Sequence, residues 1–235
     1  MRDDGPMSSQ SLAARVVAVN VGPARDEEWA GKLRRTAIDK RPVSGAVRVD
    51  VGGVEGDEIA DLANHGGLEQ AVYAYAREDL DHWAGELGGP IDDGMFGENL
   101  TTVGIDVNAA LVGEQWQVGE PGTGPLLEVA SVRIPCRVFA NWLGLRGLDD
   151  TAFVKRFAHA GRPGPYLRVL EPGVVRAGDR LRVVHRPDHG LTVLRLFRAL
   201  TTERDLLPEL LDVPQVGSRP RAVAEAYVAR ATVEV

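Results

Sequence analysis

Apolar and polar positions alternate in short runs along most of the chain, and glycine-containing turns separate the runs. Runs of this length that are rich in valine and alternate in polarity are typical of β-strands. Between Arg15 and about Arg186 the candidate strands are VVAVNVG, AVRVDVGGV, QAVYAYA, NLTTVGI, EQWQVG, LLEVASVRI, PYLRVLEPG and DRLRVVHR. This spacing of strands and turns predicts a domain that is mainly β.

Two segments within this region have helical spacing instead. REDLDHWAGELGG places Leu80, Trp83 and Leu87 on one face and stops at glycine. DDTAFVKRFAHAG begins with aspartates that can cap a helix, and its Phe153 and Phe157 lie one turn apart. We therefore expect two helices within the β domain, which makes the fold class mainly β with α.

The pattern changes after PDHG at 187–190. Three short segments with helical spacing follow, namely LTVLRLFRAL, ERDLLPELLDV and SRPRAVAEAYVAR. We predict a mainly β domain over residues 15–187 and a small three-helix C-terminal extension over residues 188–235. Residues 1–14 are polar and rich in small side chains, so we expect them to form a disordered leader.

The charge and the apolar content of the chain limit its partners. The formal net charge is -7, and the basic residues are scattered rather than clustered. A nucleic-acid polymer, whose binding depends on neutralising phosphates, is therefore not an expected partner. The sequence has no apolar run of about 18 residues or more and no secretion signal, so no membrane association is expected. We expect the protein to be cytoplasmic.

The stretch RIPCRVF contains Cys136, the single cysteine among 235 residues. One thiol cannot form an intramolecular disulfide, and it cannot supply the several thiolates of an iron–sulfur cluster or a zinc knuckle. Four roles stay open: a small buried hydrophobe, a nucleophile, a carrier of persulfide sulfur, or one soft ligand to a metal held mainly by another group. Arg133 and Arg137 flank the thiol and favour a thiolate, and Pro135 indicates that an extended segment ends here.

Three further segments carry candidate functional side chains. HGG sets His65 on a glycine-bent loop, where an imidazole can donate a hydrogen bond or move a proton. GMFGENLT at 94–101 combines glycines, backbone amides and polar side chains, which favours an anion site. In GRPGPYLRVLEPG, Tyr166 and Arg168 share a strand face that can contact an anionic ligand. His185 and His189 are four positions apart but lie in the apparent linker, so a zinc enzyme is not expected. A cysteine hydrolase that pairs His65 with Cys136 remains a secondary hypothesis.

The order of these motifs along the chain is informative in itself. TAIDKRPVSGAV, VEGDEIADLANHGG, AVYAY, GMFGENLTT, EVASVRIPC and GRPGPYLRVLEPG follow one another. In this order they resemble the MOSC domains, which are named after the C-terminal part of molybdenum cofactor sulfurase, and specifically the YiiM-like subgroup. The resemblance covers about residues 15–187, and the helical tail is similar to the three-helix extension of that subgroup. It implies a β-barrel-like fold that binds a molybdenum cofactor, Mo-molybdopterin.

The resemblance also implies roles for particular residues. Cys136 would be the protein's ligand to molybdenum, a role that suits a soft thiolate. The candidates for contacts with the cofactor and for lining the approach to the metal are Thr36, Lys40, His65, Gly66, Gly97, Asn99, Arg133 and Arg168. Among these, His65 is the expected proton donor. Gln70 departs from the subgroup, which often has a basic residue at that place, so no charge contact is expected from it.

Members of this subgroup are similar to enzymes that reduce N-hydroxylated compounds, such as N-hydroxylated purines and hydroxylamines, to amines. The resemblance therefore implies a molybdenum-dependent oxidoreductase with Cys136 and His65 as catalytic residues. A separate reductase should supply the electrons, because one cysteine cannot hold an iron–sulfur cluster and no flavin or nicotinamide fingerprint is present. The alternative is a non-enzymatic module that carries the cofactor, or persulfide sulfur on Cys136, to another protein. A homodimer is left open.

Overall fold

The computed structural model describes residues 13–62 and 65–233. Of the predicted disordered leader, residues 1–12 lie outside the described residues, and so do residues 234–235 of the predicted extension. The extent of the leader stays a prediction.

Within the described residues thirteen strands form three sheets. They are β1 (Arg15–Val21), β2 (Arg25–Asp26), β3 (Arg35–Thr36), β4 (Arg41–Pro42), β5 (Val47–Asp50), β6 (Gly53–Val54), β7 (Val72–Ala76), β8 (Leu100–Val103), β9 (Gln115–Val118), β10 (Leu126–Val132), β11 (Pro165–Glu171), β12 (Gly173–Val175) and β13 (Leu181–His185). Every segment predicted to be a strand contains one, and AVRVDVGGV contains the hairpin of β5 and β6. The sequence does not predict β2, β3, β4 and β12, because strands of two or three residues leave almost no alternation to detect.

The largest sheet has eight strands in the order β13-β9-β10-β11-β7-β8-β1-β4. Neighbouring strands are antiparallel except β7 and β8, which are parallel. The sheet curls until β13 approaches the start of β1, where Leu181 N donates to Ala14 O at 2.9 Å. In the part of the chain that is described, this approach is not a continuous ladder, so the sheet is barrel-like without being a closed barrel. The predicted fold class is confirmed as a mixed α/β fold on one large curved sheet.

Helices cover this sheet. They are α1 (Arg77–Leu87), α2 (Arg137–Leu145), α3 (Phe153–Ala160), α4 (Val193–Leu200) and α5 (Ser218–Val233), with 3-10 segments at Gly31–Leu33, Leu68–Gln70 and Arg204–Asp212. α1 ends at Gly88, whose φ of 76° is left-handed, as the sequence predicts. The predicted aspartate cap of α3 is wrong, because Ala152 is the N-cap residue and no side chain caps the helix. None of the described helices has the length and apolar character needed to cross a membrane.

An aromatic cluster fixes α2, which the sequence does not predict, against its neighbours. Phe139 of α2 lies edge-to-face with Phe96 and Phe153, with 4.9 Å between ring centroids in both pairs. The expected contact of Phe153 with Phe157 is confirmed, with centroids 5.6 Å apart. Aromatic pairs of this kind contribute about 0.5–1.5 kcal/mol beyond the burial of their area. Because Phe139 lies one turn after Cys136, this packing sets the position of the thiol.

The C-terminal segments are helical, as the sequence indicates. Thr192 caps α4 by accepting a hydrogen bond from the backbone of the first turn. The middle segment is a 3-10 helix and contains Pro208, which has no backbone N–H to donate. Gly217 N donates to Ala130 O of β10 at 2.9 Å, so these helices pack directly on the large sheet. The domain boundary near residue 187 stays a prediction.

Candidate functional site

A cleft of about 800 Å³, measured out to its open mouth, lies where β7, β10 and β11 meet the loops around them. It brings together most of the predicted site residues, namely Thr36, Lys40, His65, Gly66, Gly97, Asn99, Arg133 and Cys136. These residues come from separate parts of the chain, so only the folded sheet makes them neighbours. Arg168 does not line the cleft. The functional roles of all of these residues stay predictions.

Cys136 lies at the junction of β10 and α2. β10 ends at Val132, and Cys136 is the N-cap residue of α2 with an extended backbone of φ -133° and ψ 168°. This confirms the prediction that an extended segment ends at the cysteine. The thiol lines the cleft and is only partly buried. It is therefore open to a ligand in the cleft, unlike a cysteine sealed in the core.

Arg133 places a buried cation beside this thiol. Its Nη1 donates to the Tyr166 hydroxyl at 2.9 Å, and its guanidinium lies over the rings of Tyr73 and Phe139, 5.6 and 5.3 Å from their centroids. Burial acts against the charged form, but the nearby Tyr166 and Cys136 side chains hold the pKa of Arg133 above its ordinary value. Among the described residues no carboxylate forms an ion pair with Arg133, and its Nε has no hydrogen-bond partner. The side chain is therefore prepared to bind an anion.

Lys40 and Asp57 form a buried ion pair at the same cleft. Asp57 also accepts hydrogen bonds from Asn99 Nδ2 at 2.8 Å and from Gly22 N at 2.9 Å. Burial lowers the pKa of Lys40, and the Asp57 carboxylate opposes this effect. Because Asp57 balances its charge, Lys40 adds less to the positive potential of the cleft than Arg133 does.

In the GMFGENLT loop, backbone amides bind the Glu98 carboxylate of the same loop instead of the external anion that the sequence predicts. Gly94 N donates to Glu98 Oε1 at 2.6 Å, and Phe96 N donates to Glu98 Oε2 at 3.1 Å, so these amides are not free for a ligand. Gly94 has a φ of 86°, and a Cβ there would lie 2.6 Å from Lys40 O, so only glycine allows this close packing. Burial raises the pKa of Glu98 to about 7. The loop therefore supports the cleft, with Gly97 in its wall.

His65 is half-buried in the cleft wall, and its backbone N–H donates to Asp61 O at 2.7 Å. Burial and the positive charge of Arg133 lower the pKa of His65 to about 4. The imidazole is therefore neutral near pH 7. This does not favour the predicted release of a proton from an imidazolium, although a neutral ring can still donate a hydrogen bond.

Arg168 lies outside the cleft, although it shares a strand face with Tyr166. Its Nη2 donates to Gln215 O at 2.9 Å, and its guanidinium lies 3.6 Å from Glu128 and 3.9 Å from Glu69. The alternation of side chains on β11 identifies the face correctly, but it does not show where along the strand the cleft ends. Arg168 instead connects β11 to the C-terminal helices.

Two other residues of the cleft, Asp57 and Tyr73, are not among those for which the sequence predicts a role. Asp57 pairs with Lys40, from which it is 17 positions distant, so no local pattern relates the two. Tyr73 is one residue of the apolar strand run VYAYA, and its hydroxyl donates to Pro163 O at 2.7 Å. Both residues acquire their place at the site only through strand pairing.

Comparison with known proteins identifies the family. The sequence profile of the MOSC domain matches residues 61–182. YflK of Bacillus subtilis is 34% identical over 178 residues, which are 76% of this chain and 76% of YflK. A Gibberella moniliformis protein named Reductase is 33% identical over 206 residues, which are 85% of this chain and 35% of that protein.

The crystal structure of YiiM from Geobacillus stearothermophilus has the same fold, with a TM-score of 0.72 at 26% identity. The match covers 91% of this chain and 98% of that YiiM, so it includes C-terminal helices as well as the sheet. The chain therefore belongs to the MOSC family and is a YiiM-like member of it.

Proposed function

We propose that this MOSC protein binds a molybdenum cofactor in the cleft and reduces N-hydroxylated compounds, such as N-hydroxylated purines and hydroxylamines, to amines. When bound, the cofactor supplies the two-electron chemistry that breaks the N–O bond. The reaction converts R–NHOH, two electrons and two protons into R–NH2 and water. A separate reductase donates the electrons, because Cys136 is the single cysteine of the chain and an iron–sulfur cluster needs several. The family and the relative named Reductase support an enzymatic reading.

The observation that carries the proposal is the free thiol of Cys136 in the same cleft as the buried guanidinium of Arg133, which forms no ion pair with a carboxylate of the described residues. A thiolate is a soft metal ligand, and the unpartnered Nε of Arg133 suits the phosphate of a pterin cofactor. Over residues 13–62 and 65–233, no cluster of three or more His, Cys, Asp or Glu side chains could hold a metal. The side chains of the cleft therefore fit a metal that arrives with its own organic ligand.

The remaining cleft residues have supporting roles in this proposal. The ion pair of Lys40 with Asp57 fixes Asn99, whose amide donates to Asp57. Thr36, Gly66 and Gly97 line the space next to the cofactor. His65 donates a hydrogen bond to the N–OH oxygen as a neutral imidazole, and solvent supplies the protons. Arg168 has no direct role, because it lies outside the cleft.

The test is reduction of an N-hydroxylated purine by the protein purified from a host that makes the cofactor, with reduced viologen as electron donor. We expect amine formation that consumes two electrons per product. Cys136→Ala should lose this activity while keeping the fold, and Arg230→Ala, at the exposed far end of α5, should keep both. Bound molybdenum without turnover would favour a cofactor-delivery module. Absence of both metal and turnover would reject the proposal.

A further inference from the structure

The start of α5 contacts the loop that carries His65. Arg219 Nη1 donates to Gln70 Oε1 at 3.3 Å, and its Nη2 donates to Leu62 O at 3.2 Å. We propose that Arg219 is a positioning residue that holds residues 65–70, here named the His65 loop, in the wall of the cleft. This inference goes beyond the proposed reductase activity, because it concerns contacts of the protein alone.

Gln70 transmits the contact from Arg219 to the loop backbone. Gln70 Oε1 accepts a hydrogen bond from Gly66 N at 3.0 Å as well as the bond from Arg219. Gly66 has a φ of 96°, and a Cβ there would lie 2.9 Å from Ile59 Cδ1, so the loop has little room to shift inward. Gly66 and Gln70 both line the cleft together with Cys136. A change in the Gln70 side chain therefore changes the wall that faces the thiol.

Contacts of the two preceding residues hold the backbone of Arg219 in place. Ser218 N and Ser218 Oγ donate to Glu69 Oε2 at 2.7 and 2.8 Å. Gly217 N donates to Ala130 O of β10 at 2.9 Å, and a Cβ on Gly217 would lie 3.0 Å from Glu69 Oε2. The beginning of α5 is thus tied to both the sheet and the loop. Arg219 extends from this anchored turn, so its position relative to the His65 loop is defined.

Arg219 also acts on His65 through its charge. Arg133 and Arg219 both lower the pKa of His65, whereas Asp61 opposes them and burial has the largest effect. Removing the Arg219 guanidinium takes away one positive charge and loosens the packing of the loop. Both changes should move the pKa of His65 upward, which a substitution that only weakens the fold elsewhere would not do.

The single thiol of Cys136 allows a direct test. We compare the wild type with Arg219→Ala, Arg219→Lys and Arg230→Ala, because Arg219 and Arg230 are both exposed on α5 and only Arg219 contacts the loop. The readout is the rate of Cys136 alkylation by iodoacetamide at one fixed pH, on the full chain produced in a host that does not make the cofactor. We expect Arg219→Ala to raise the rate about fivefold, which corresponds to about 1 kcal/mol. Arg219→Lys should recover much of the difference, and Arg230→Ala should match the wild type.

Two further measurements complete the test. Gln70→Ala, which removes the acceptor, should raise the alkylation rate as Arg219→Ala does. NMR titration should show a higher pKa for His65 in Arg219→Ala and a value nearer the wild type in Arg219→Lys. Equal alkylation rates in all variants, or an equal rise in Arg230→Ala, would overturn the proposal. Neither readout requires a cofactor, so failure here is distinguishable from failure of the proposed function.

Discussion

Arg133 Nη1 donates to the Tyr166 hydroxyl at 2.9 Å, and this bond joins the residue after β10 to the neighbouring strand β11. The rings of Tyr73 and Phe139 enclose the same guanidinium. Within the described part of the chain this cation has no carboxylate partner, and burying such a charge costs free energy that the surrounding protein must offset. We interpret the arrangement as a site prepared for an anionic ligand, at some cost in stability.

Arg133→Met should separate stability from anion binding. Removal of the buried charge offsets the loss of its bond to Tyr166, so the free energy of unfolding should stay within about 1 kcal/mol of the wild type. Inorganic pyrophosphate should raise the Tm of the wild type, and the variant should lose this rise. Thermal unfolding with and without pyrophosphate measures both effects. The prediction fails if pyrophosphate still stabilises the variant.

His65 should titrate with a pKa of about 4, since burial and Arg133 disfavour its charged form. A lowered pKa means that the unfolded chain binds this proton more tightly than the folded protein does. The corresponding stability is complete above the ordinary value of 6.5 and is lost as the pH falls through about 4. NMR titration of the histidine ring protons, with His65→Gln to assign the resonance, measures the value. A pKa near 6.5 would contradict the described burial.

Lys40→Met should lower the free energy of unfolding by about 3 kcal/mol, because it leaves the buried Asp57 carboxylate without its cation. The double variant Lys40→Met/Asp57→Asn should regain part of this loss. Urea unfolding of the two single variants and the double variant gives the coupling energy. Strictly additive effects would show that the two side chains do not interact.

Glu98 should make stability fall as the pH rises towards neutrality. Burial raises its pKa from 4.5 to about 7, so the folded state binds this proton more tightly than the unfolded chain does. The contribution is complete below about pH 4.5 and is lost as the pH rises through about 7, by up to roughly 3 kcal/mol. Urea unfolding across this range should show the decline in the wild type, and Glu98→Gln should lack it. Parallel pH profiles for the two proteins would exclude this role.

Much of the fold can be predicted from local patterns. The valine-rich alternation identifies the main strands, and glycine marks the end of α1, because both signals arise from residues close in sequence. α2 is not predicted, although Phe139, Trp142 and Leu143 have helical spacing and are buried. Its N-cap residue is Cys136, whose side chain makes no capping hydrogen bond, so the sequence carries no helix-start signal there.

The site is only partly predictable, for a related reason. Cys136 and His65 stand out because the residue type and the neighbouring glycine or proline are local features. The pairing of Arg133 with Tyr166 spans 33 positions, so it depends on the register of β10 and β11 rather than on a motif. The expected place of Arg168 at the site also depends on strand register, and the structure puts this side chain outside the cleft. The order of the motifs identifies the family, whereas only the fold defines the contacts.

The proposed reaction requires that Cys136 binds molybdenum in this cleft. X-ray absorption at the molybdenum edge compares the purified wild type with Cys136→Ala loaded with the same cofactor. We expect the metal in the wild type to have one sulfur neighbour more than in the variant. Identical sulfur coordination in the two proteins would exclude Cys136 as a ligand.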